Sequence, residues 1–285
     1  MKITDKLNRK RPGVSFEIFP PKRGTSLNDI DETLDILCSL NPDFISVTFG
    51  AGGSVSDNKT VELACKIKDR GITPLVHLTC LNYGKKEILY VLECLKEKRI
   101  ENILALRGDR NPNFEPKHEF IYASDLITFI KNNGDFGISG ACYPEGHPES
   151  FDEVDDFRYL REKVEAGASH LISQLFFDNQ IFYSFAQKAR IAGINVPIEA
   201  GIMPVINKAQ IERMVTLCGA SLPEKFRKIL DKYADKPEAL YDAGMTYAVN
   251  QIVDLLANNV DGVHIYTMNN PKVASRICGD IKYLI

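Results

Sequence analysis

Glu17 lies inside an apolar run, between Phe16 and Ile18-Phe19. A carboxylate among aromatic side chains loses hydration, which favours its protonated form and predicts a raised pKa. Such a group can hand over a proton near neutral pH, the work of a general acid. The structural alternative is a Glu held in an ion pair, with Arg107 as its partner. Arg107-Gly108-Asp109 is a second constellation. As chemistry, its guanidinium meets phosphate or pyrimidine oxygens and its carboxylate accepts from the amino groups of a heterocycle. Gly108 lets a flat ring approach the backbone closely. As structure, the same three residues are a turn with a local ion pair.

Further uncommon polar residues close other apolar runs: Thr48, His77, Thr79, Tyr143-Pro144-Glu145 and Gln174. His77 and His147 lack metal-ligand spacing and no H-E-x-x-H occurs, so satisfied structural histidines are the ordinary reading and no metal is expected. Asp152, Asp155, Asp156, Arg158, Arg161 and Lys163 open a helical stretch of mixed charge. Most of these form a solvated face; Lys163 stands where it can reach a diphosphate. There is no G-x-S-x-G, no cysteine beside a base, and no lysine inside a predicted strand, which weakens acyl-enzyme and Schiff-base readings. An acid among hydrogen-bonding groups suits a redox cofactor that carries the hard chemistry itself.

The elements that must position these residues are legible in the apolar pattern. Strands are predicted at Val14–Phe19, Phe44–Phe49, Thr73–Cys80, Asn102–Leu106, Gly137–Tyr143, His170–Phe176, Pro197–Ile202 and Gly262–Tyr266. Helical periodicity lies between them, starting with Leu27–Leu40, which Thr25-Ser26 would cap. Lys59–Lys68, Lys85–Lys98, Tyr122–Lys131, Val154–Ala166 and Ile181–Ala192 follow. The seventh connection is longest, with helices at Ala209–Cys218, Pro223–Tyr233 and Glu238–Asn258, and Pro271–Tyr283 closes the pattern. Eight strands, each followed by helix, predict an α/β fold, a (β/α)₈ TIM barrel in a single domain over 1–285. An open doubly wound sheet would carry G-x-G-x-x-G after an early strand, and none occurs; Gly50-Ala51-Gly52-Gly53 has the wrong spacing. In a barrel the polar residues at the strand ends converge on the C-terminal mouth, where active sites of this fold are built.

Composition limits the partners. The 285 residues are 44% hydrophobic and 26% charged, with a net charge of −3, so no basic surplus points to nucleic acid or an anionic membrane. No apolar run of about 18 residues predicts a membrane span, and the N-terminus does not read as a signal peptide. Seven cysteines, without any Cys-x-x-Cys pair, read as buried thiols of a reducing compartment, which predicts the cytoplasm.

Val14-Ser15-Phe16-Glu17-Ile18-Phe19-Pro20-Pro21-Lys22 resembles the opening signature of the methylenetetrahydrofolate reductase family. The resemblance continues through Ser46-Val47-Thr48-Phe49-Gly50-Ala51, His77-Leu78-Thr79-Cys80 and Leu104-Ala105-Leu106-Arg107-Gly108-Asp109. It extends through Tyr122-Ala123-Ser124-Asp125-Leu126, Tyr143-Pro144-Glu145-Gly146-His147-Pro148-Glu149, Gln174-Leu175-Phe176-Phe177-Asp178 and His264-Ile265-Tyr266-Thr267-Met268-Asn269. These blocks keep family order and spacing over nearly the whole chain.

The resemblance implies an FAD-containing catalytic domain over 1–285 that reduces 5,10-methylenetetrahydrofolate to 5-methyltetrahydrofolate by ping-pong turnover, with NADH or NADPH as reductant. It places the chain in one-carbon metabolism and methionine biosynthesis. By the same resemblance Glu17 is the general acid that opens the five-membered ring, after which reduced FAD delivers hydride to the exocyclic carbon. Asp109 is a second catalytic residue that contacts pterin and flavin, and Gln174 and Gln210 bind folate. Flavin contacts fall on Thr48, Phe49, Ala51, His77, Arg107, Gly108, Asp109, Tyr122, Ala123, Tyr143, His147, Asp156 and Lys163. A homo-oligomer is implied. Two alternatives stay open: a flavin- and folate-binding subunit fed by an electron-donor partner protein, and a barrel lyase or aldolase. The chain departs from relatives at Asn270, where a basic residue is common and Lys272 stands nearby, at Met214 in place of a Phe, and at Glu162.

Overall fold

The computed structural model describes residues 1–7, 11–21, 30–49, 59–110 and 115–285. Strands β1 (Gly13–Ile18), β2 (Phe44–Val47), β3 (Thr73–Thr79) and β4 (Asn102–Leu106) form one half of a closed barrel. β5 (Gly137–Cys142), β6 (His170–Ser173), β7 (Ile198–Ile202) and β8 (Gly262–Tyr266) form the other. Every neighbouring pair is parallel, and β8 returns to β1 with Ser15 opposite His264. The (β/α)₈ barrel expected from the alternation is the fold observed.

Side chains alternate across each strand, so one set faces the helices and the other the barrel interior. Val14, Phe16 and Ile18 of β1 join Ile45, Val47, Val76, Leu78, Val263 and Ile265 in the large core shared with the helices. Ser15 and Glu17 fall on the other face. The helices lining the outside are α2 (Asp31–Ser39), α3 (Lys59–Asp69), α4 (Lys85–Glu97), α5 (Ala123–Asn133), α6 (Glu153–Ala166) and α7 (Asn179–Ile191). After β7 come α8 (Lys208–Cys218), α9 (Glu224–Tyr233) and α10 (Pro237–Ala257), and α11 (Pro271–Ile281) ends the order. No described helix is long and apolar enough to cross a membrane.

Four differences from the expected elements have physical causes. A five-residue helix, α1 (Ile3–Leu7), was not foreseen; it plugs the N-terminal end of the barrel, where Ile3 and Leu7 pack with Phe44, Leu75, Leu104 and Ile172. The sixth strand stops at Ser173 although the apolar run continues, because Phe176 leaves the sheet to stack on Phe182 with ring centroids 5.0 Å apart. The second strand likewise ends at Val47, and Phe49 turns to meet Tyr83 edge-on. Tyr122 is the N-cap of α5 rather than its first turn. The start of the helix expected from Leu27, its Thr25-Ser26 cap, and Gly50–Gly53 lie outside the described residues. All seven cysteines are free, but only Cys80 and Cys142 are fully buried.

Candidate active site

The C-terminal mouth holds a cavity of about 590 Å³ lined from every strand of the barrel. β1 contributes Glu17; Thr48 and Phe49 follow β2; His77 and Thr79 end β3; Arg107, Gly108 and Asp109 follow β4. Tyr143, Gln174, Met203 and Tyr266 come from the ends of the remaining four. A neighbouring cavity of about 510 Å³ shares Arg107, Tyr143 and His147 and adds Tyr122, Ala123, Asp156 and Lys163. The sequence-predicted set thus falls almost entirely on two adjoining cavities. Gln210 is the exception: it sits in the first turn of α8, where its N–H donates to the Asn207 side chain, and it lines neither cavity. Ala51 lies outside the described residues.

Glu17 is held by its backbone as well as its strand, since Thr267 Oγ1 donates to its carbonyl at 2.7 Å. Its carboxylate stands 3.5 Å from His77 Nε2 and 3.8 Å from His264 Nε2. The expectation of a raised pKa is corrected here. Desolvation does push the group up, but the polar groups of His264 and Ser46 beside it, together with the charge of the His77 and His264 rings, outweigh it and bring the carboxyl below its ordinary range. The sequence showed the apolar flanks of Glu17; Phe16 and Ile18 point to the helices, Phe19 is exposed, and the true neighbours of the carboxylate come from β2, β3 and β8. Nor does Glu17 pair with Arg107. That guanidinium takes Glu149 in a bidentate pair at 2.8 and 2.6 Å, which also displaces the expected local pair with Asp109.

Burial holds His77 at about 4, so its ring is neutral near pH 7, and its Nε2 makes no hydrogen bond. Asn82 Oδ1 at the same cavity is likewise buried without a partner. Buried polar atoms without a partner at the wall of a cavity are suited to bonding a ligand there. Gln174 uses its Oε1 to accept from the Leu175 N–H at 2.9 Å, leaving its amide donor for another partner. Gly108 has φ +84°, and a Cβ there would come within 3.0 Å of Thr79 Cβ, so the turn that aims Asp109 needs glycine. In the second cavity Lys163 donates to the Ala141 carbonyl at 2.9 Å, lies 5.7 Å from the Tyr143 ring centroid, and is pushed below its ordinary pKa by burial. Asp156 accepts from the His147 N–H and the Ser150 hydroxyl and so shapes the loop between the cavities. Tyr122 stacks on Tyr159 at the rim, with centroids 5.0 Å apart.

Three of the divergent positions can be placed. Asn270 caps α11 by accepting from the Lys272 N–H, and the Lys272 side chain is exposed. Met214 lines the first cavity, and Glu162 lines an outer groove and neither cavity, although its charge reaches Tyr122 at the rim of the second. Sequence reasoning missed Asn82, Tyr83 and Tyr266, which bear on the first cavity, and a buried polar set below it: Ser15, Glu199, His170 and His264. The signal for Glu199 was present, a lone carboxylate inside an apolar strand, but it lies toward the N-terminal end, away from the mouth.

A family model described as methylenetetrahydrofolate reductase matches residues 2–282. Methylenetetrahydrofolate reductase (NADH) 1 of Arabidopsis thaliana is 36% identical over 295 residues, covering 96% of this chain and 50% of the relative. The chain therefore spans about half the length of the plant relatives it matches. The 5,10-methylenetetrahydrofolate reductase of Escherichia coli K12 is 36% identical over 266 residues, covering 93% of this chain and 89% of the relative. Among solved structures, an uncharacterized protein from Clostridium thermocellum that binds two copies of 5-methyl-5,6,7,8-tetrahydrofolic acid superposes with a TM-score of 0.70. That match covers 99% of this chain and 100% of the other at 14% identity, a likeness of fold.

Proposed function

Because the chain belongs to the methylenetetrahydrofolate reductase family, we propose that residues 1–285 form one catalytic domain that reduces 5,10-methylenetetrahydrofolate to 5-methyltetrahydrofolate. The observation that carries this reading is the Glu17 carboxylate, set at the large cavity beside a neutral His77 whose Nε2 is unbonded. The two adjoining cavities fit an elongated, two-part cofactor such as FAD. His77 and Asn82 offer unsatisfied polar atoms to a flat ring system, Arg107 and Lys163 offer cations to a diphosphate, and the Tyr122–Tyr159 stack offers a face to an adenine. When bound and reduced, that group supplies a hydride.

Glu17 then acts on the folate. In the free protein its side chain keeps 21% of its exposure. A ligand filling the cavity removes that water, which raises the pKa and favours a protonated Glu17 able to protonate the departing amine of the folate ring. Asp109 lends negative charge to the cationic intermediate, and the free amide of Gln174 orients the pterin. One site serving both substrates in turn implies ping-pong kinetics. The names of the plant relatives support NADH as the reductant. The reading includes a cytoplasmic, homo-oligomeric enzyme, the assembly to be checked by light scattering.

Anaerobic spectra test this. The purified protein is expected to be yellow, to bleach with NADH and to regain colour with methylenetetrahydrofolate. Glu17→Gln should bleach at the wild-type rate while reoxidation by folate falls about 10²–10⁴-fold, the usual range for a lost general acid. A colourless protein would sink the proposal. A yellow protein that NADH does not bleach would instead point to electrons from a partner protein.

A further inference from the structure

The barrel interior beneath Glu17 contains a second carboxylate. Glu199, near the start of β7, is fully buried, and space for it is made by glycines on both sides. A Cβ at Gly13 would approach Glu199 Oε1 to 2.8 Å and one at Gly262 to 2.7 Å. Ser15 Oγ lies 2.7 Å from Glu199 Oε2 and 2.7 Å from His264 Nδ1. On the other side of that ring, His264 Nε2 lies 3.3 Å from Ser46 Oγ, and Ser46 is the register partner of Glu17 across β1 and β2, beside the carboxyl it helps to lower. A continuous chain of polar atoms therefore joins the two carboxyls: Glu199, Ser15, His264, Ser46, Glu17.

We propose that Glu17 and Glu199 share one proton through this chain, so that the buried carboxyl sets which tautomer of His264 faces the active site. The proposal rests on the reading of Glu17 as proton donor. Each serine hydroxyl has one hydrogen and the neutral ring has one N–H, so the chain has two self-consistent polarities. In the first, protonated Glu199 donates to Ser15, Ser15 to His264 Nδ1, His264 Nε2–H to Ser46, and Ser46 to the Glu17 carboxylate. In the second every bond is reversed: Glu17 is the acid, and Ser15 donates to the Glu199 carboxylate. Conversion breaks one O–H bond at Glu199, forms one at Glu17, and moves one negative charge the other way. After Glu17 gives its proton to the folate, the same path reloads it.

Other groups face this chain. His170 Nε2 lies 3.8 Å from Glu199 Oε2, and Asp43 and Asp261 add negative charge near Glu199, which burial raises to about 8. His77 and Tyr266 face Glu17, while Phe44 stacks on His264. His170 senses the charge on Glu199 but is bonded through Nδ1 to Ser139 at 2.9 Å, outside the chain, and serves as an internal control.

The test is ¹⁵N NMR of the histidine-labelled protein, with His264 assigned by its loss in His264→Asn. His264 should carry its hydrogen on Nε2 while Glu199 keeps its proton, and on Nδ1 once Glu199 ionises above pH about 8 and Ser15 donates to its carboxylate. Glu199→Gln, whose amide does not ionise, should abolish any change of tautomer between pH 7 and pH 9. Ser15→Ala should uncouple the tautomer from pH while leaving both carboxyls in place. In stopped flow, Glu199→Gln should slow folate-driven reoxidation about tenfold, less than loss of the acid itself, with NADH bleaching unchanged. A His264 tautomer that stays constant as Glu199 titrates overturns the shared proton. A switch lost in Glu199→Gln without any effect on reoxidation overturns its use in turnover. If the wild type reduces no folate, the functional reading fails while the tautomer still decides the chain.

Discussion

Two carboxylates lie inside strands of this barrel, and their surroundings push them apart. Glu17 has histidines 3.5 and 3.8 Å away and sits low, whereas Glu199 has desolvation as its dominant influence and sits near 8. The consequence for stability has a definite sign. The folded protein keeps the Glu199 proton up to about pH 8, while the unfolded chain releases it near 4.5, so folding binds a proton across that window and stability falls as pH rises through it. Glu199→Gln should therefore gain stability over the wild type between pH 5 and pH 8 in thermal melts, by a few kcal/mol, roughly the linkage expected from such a shift. An unchanging difference would show that Glu199 is ionised in the folded state. His77 and His170 work in the opposite sense. They stay neutral down to about 4 and 3, while the unfolded chain takes up protons near 6.5, so their contribution is complete above that pH and fades below it.

The short helix α1 shows what a terminal element contributes to a barrel. Leu7 and Ile3 close the end opposite the site, the Ile3 N–H donates to Asn102 Oδ1 at 3.0 Å, and Leu7 packs against Gly13 where Glu199 is lodged. Leu7→Ala should cost about 2–3 kcal/mol, the lower part of the range for a buried leucine, because Leu7 lies at the end of the core rather than at its centre. A denaturant midpoint within error of wild type would mean that α1 does not plug the barrel in solution. Five residues are too few to display a helical period, which is why this element was invisible beforehand while the longer α4, α6 and α7 were found within a residue or two of their ends.

At the level of the whole molecule, two cavities meet at Arg107, Tyr143 and His147, one open to the barrel axis and one toward α5 and α6. Lys163 is a half-buried cation of the second, where it donates to the Ala141 carbonyl. Replacing it by methionine keeps the volume and removes the charge, so Lys163→Met should fold normally yet lose bound flavin on dialysis. Wild-type flavin content in that variant would detach the second cavity from cofactor binding. Since the phosphate attraction weakens with salt, flavin retention by the wild type should also fall as ionic strength rises.

Periodicity alone was enough to specify eight strands, their helical connections and the barrel, because every strand must bury one face against helices and the apolar residues record that face. The same alternation exposed Glu17, and the strand-end residues Thr48, His77, Arg107, Tyr143 and Gln174 could be placed at one mouth because a parallel barrel brings all its C-terminal ends together. Which groups touch was decided only by closure. His264 and Glu17 are separated by most of the chain, and Arg107 takes Glu149 instead of the nearer Asp109. The electrostatic state of Glu17 followed from those contacts rather than from its sequence neighbours, since pKa depends on distances across strands. The pairing of Glu17 with Glu199 through two serines and a histidine is likewise a property of the closed cylinder, where β1, β2, β7 and β8 first share an interior.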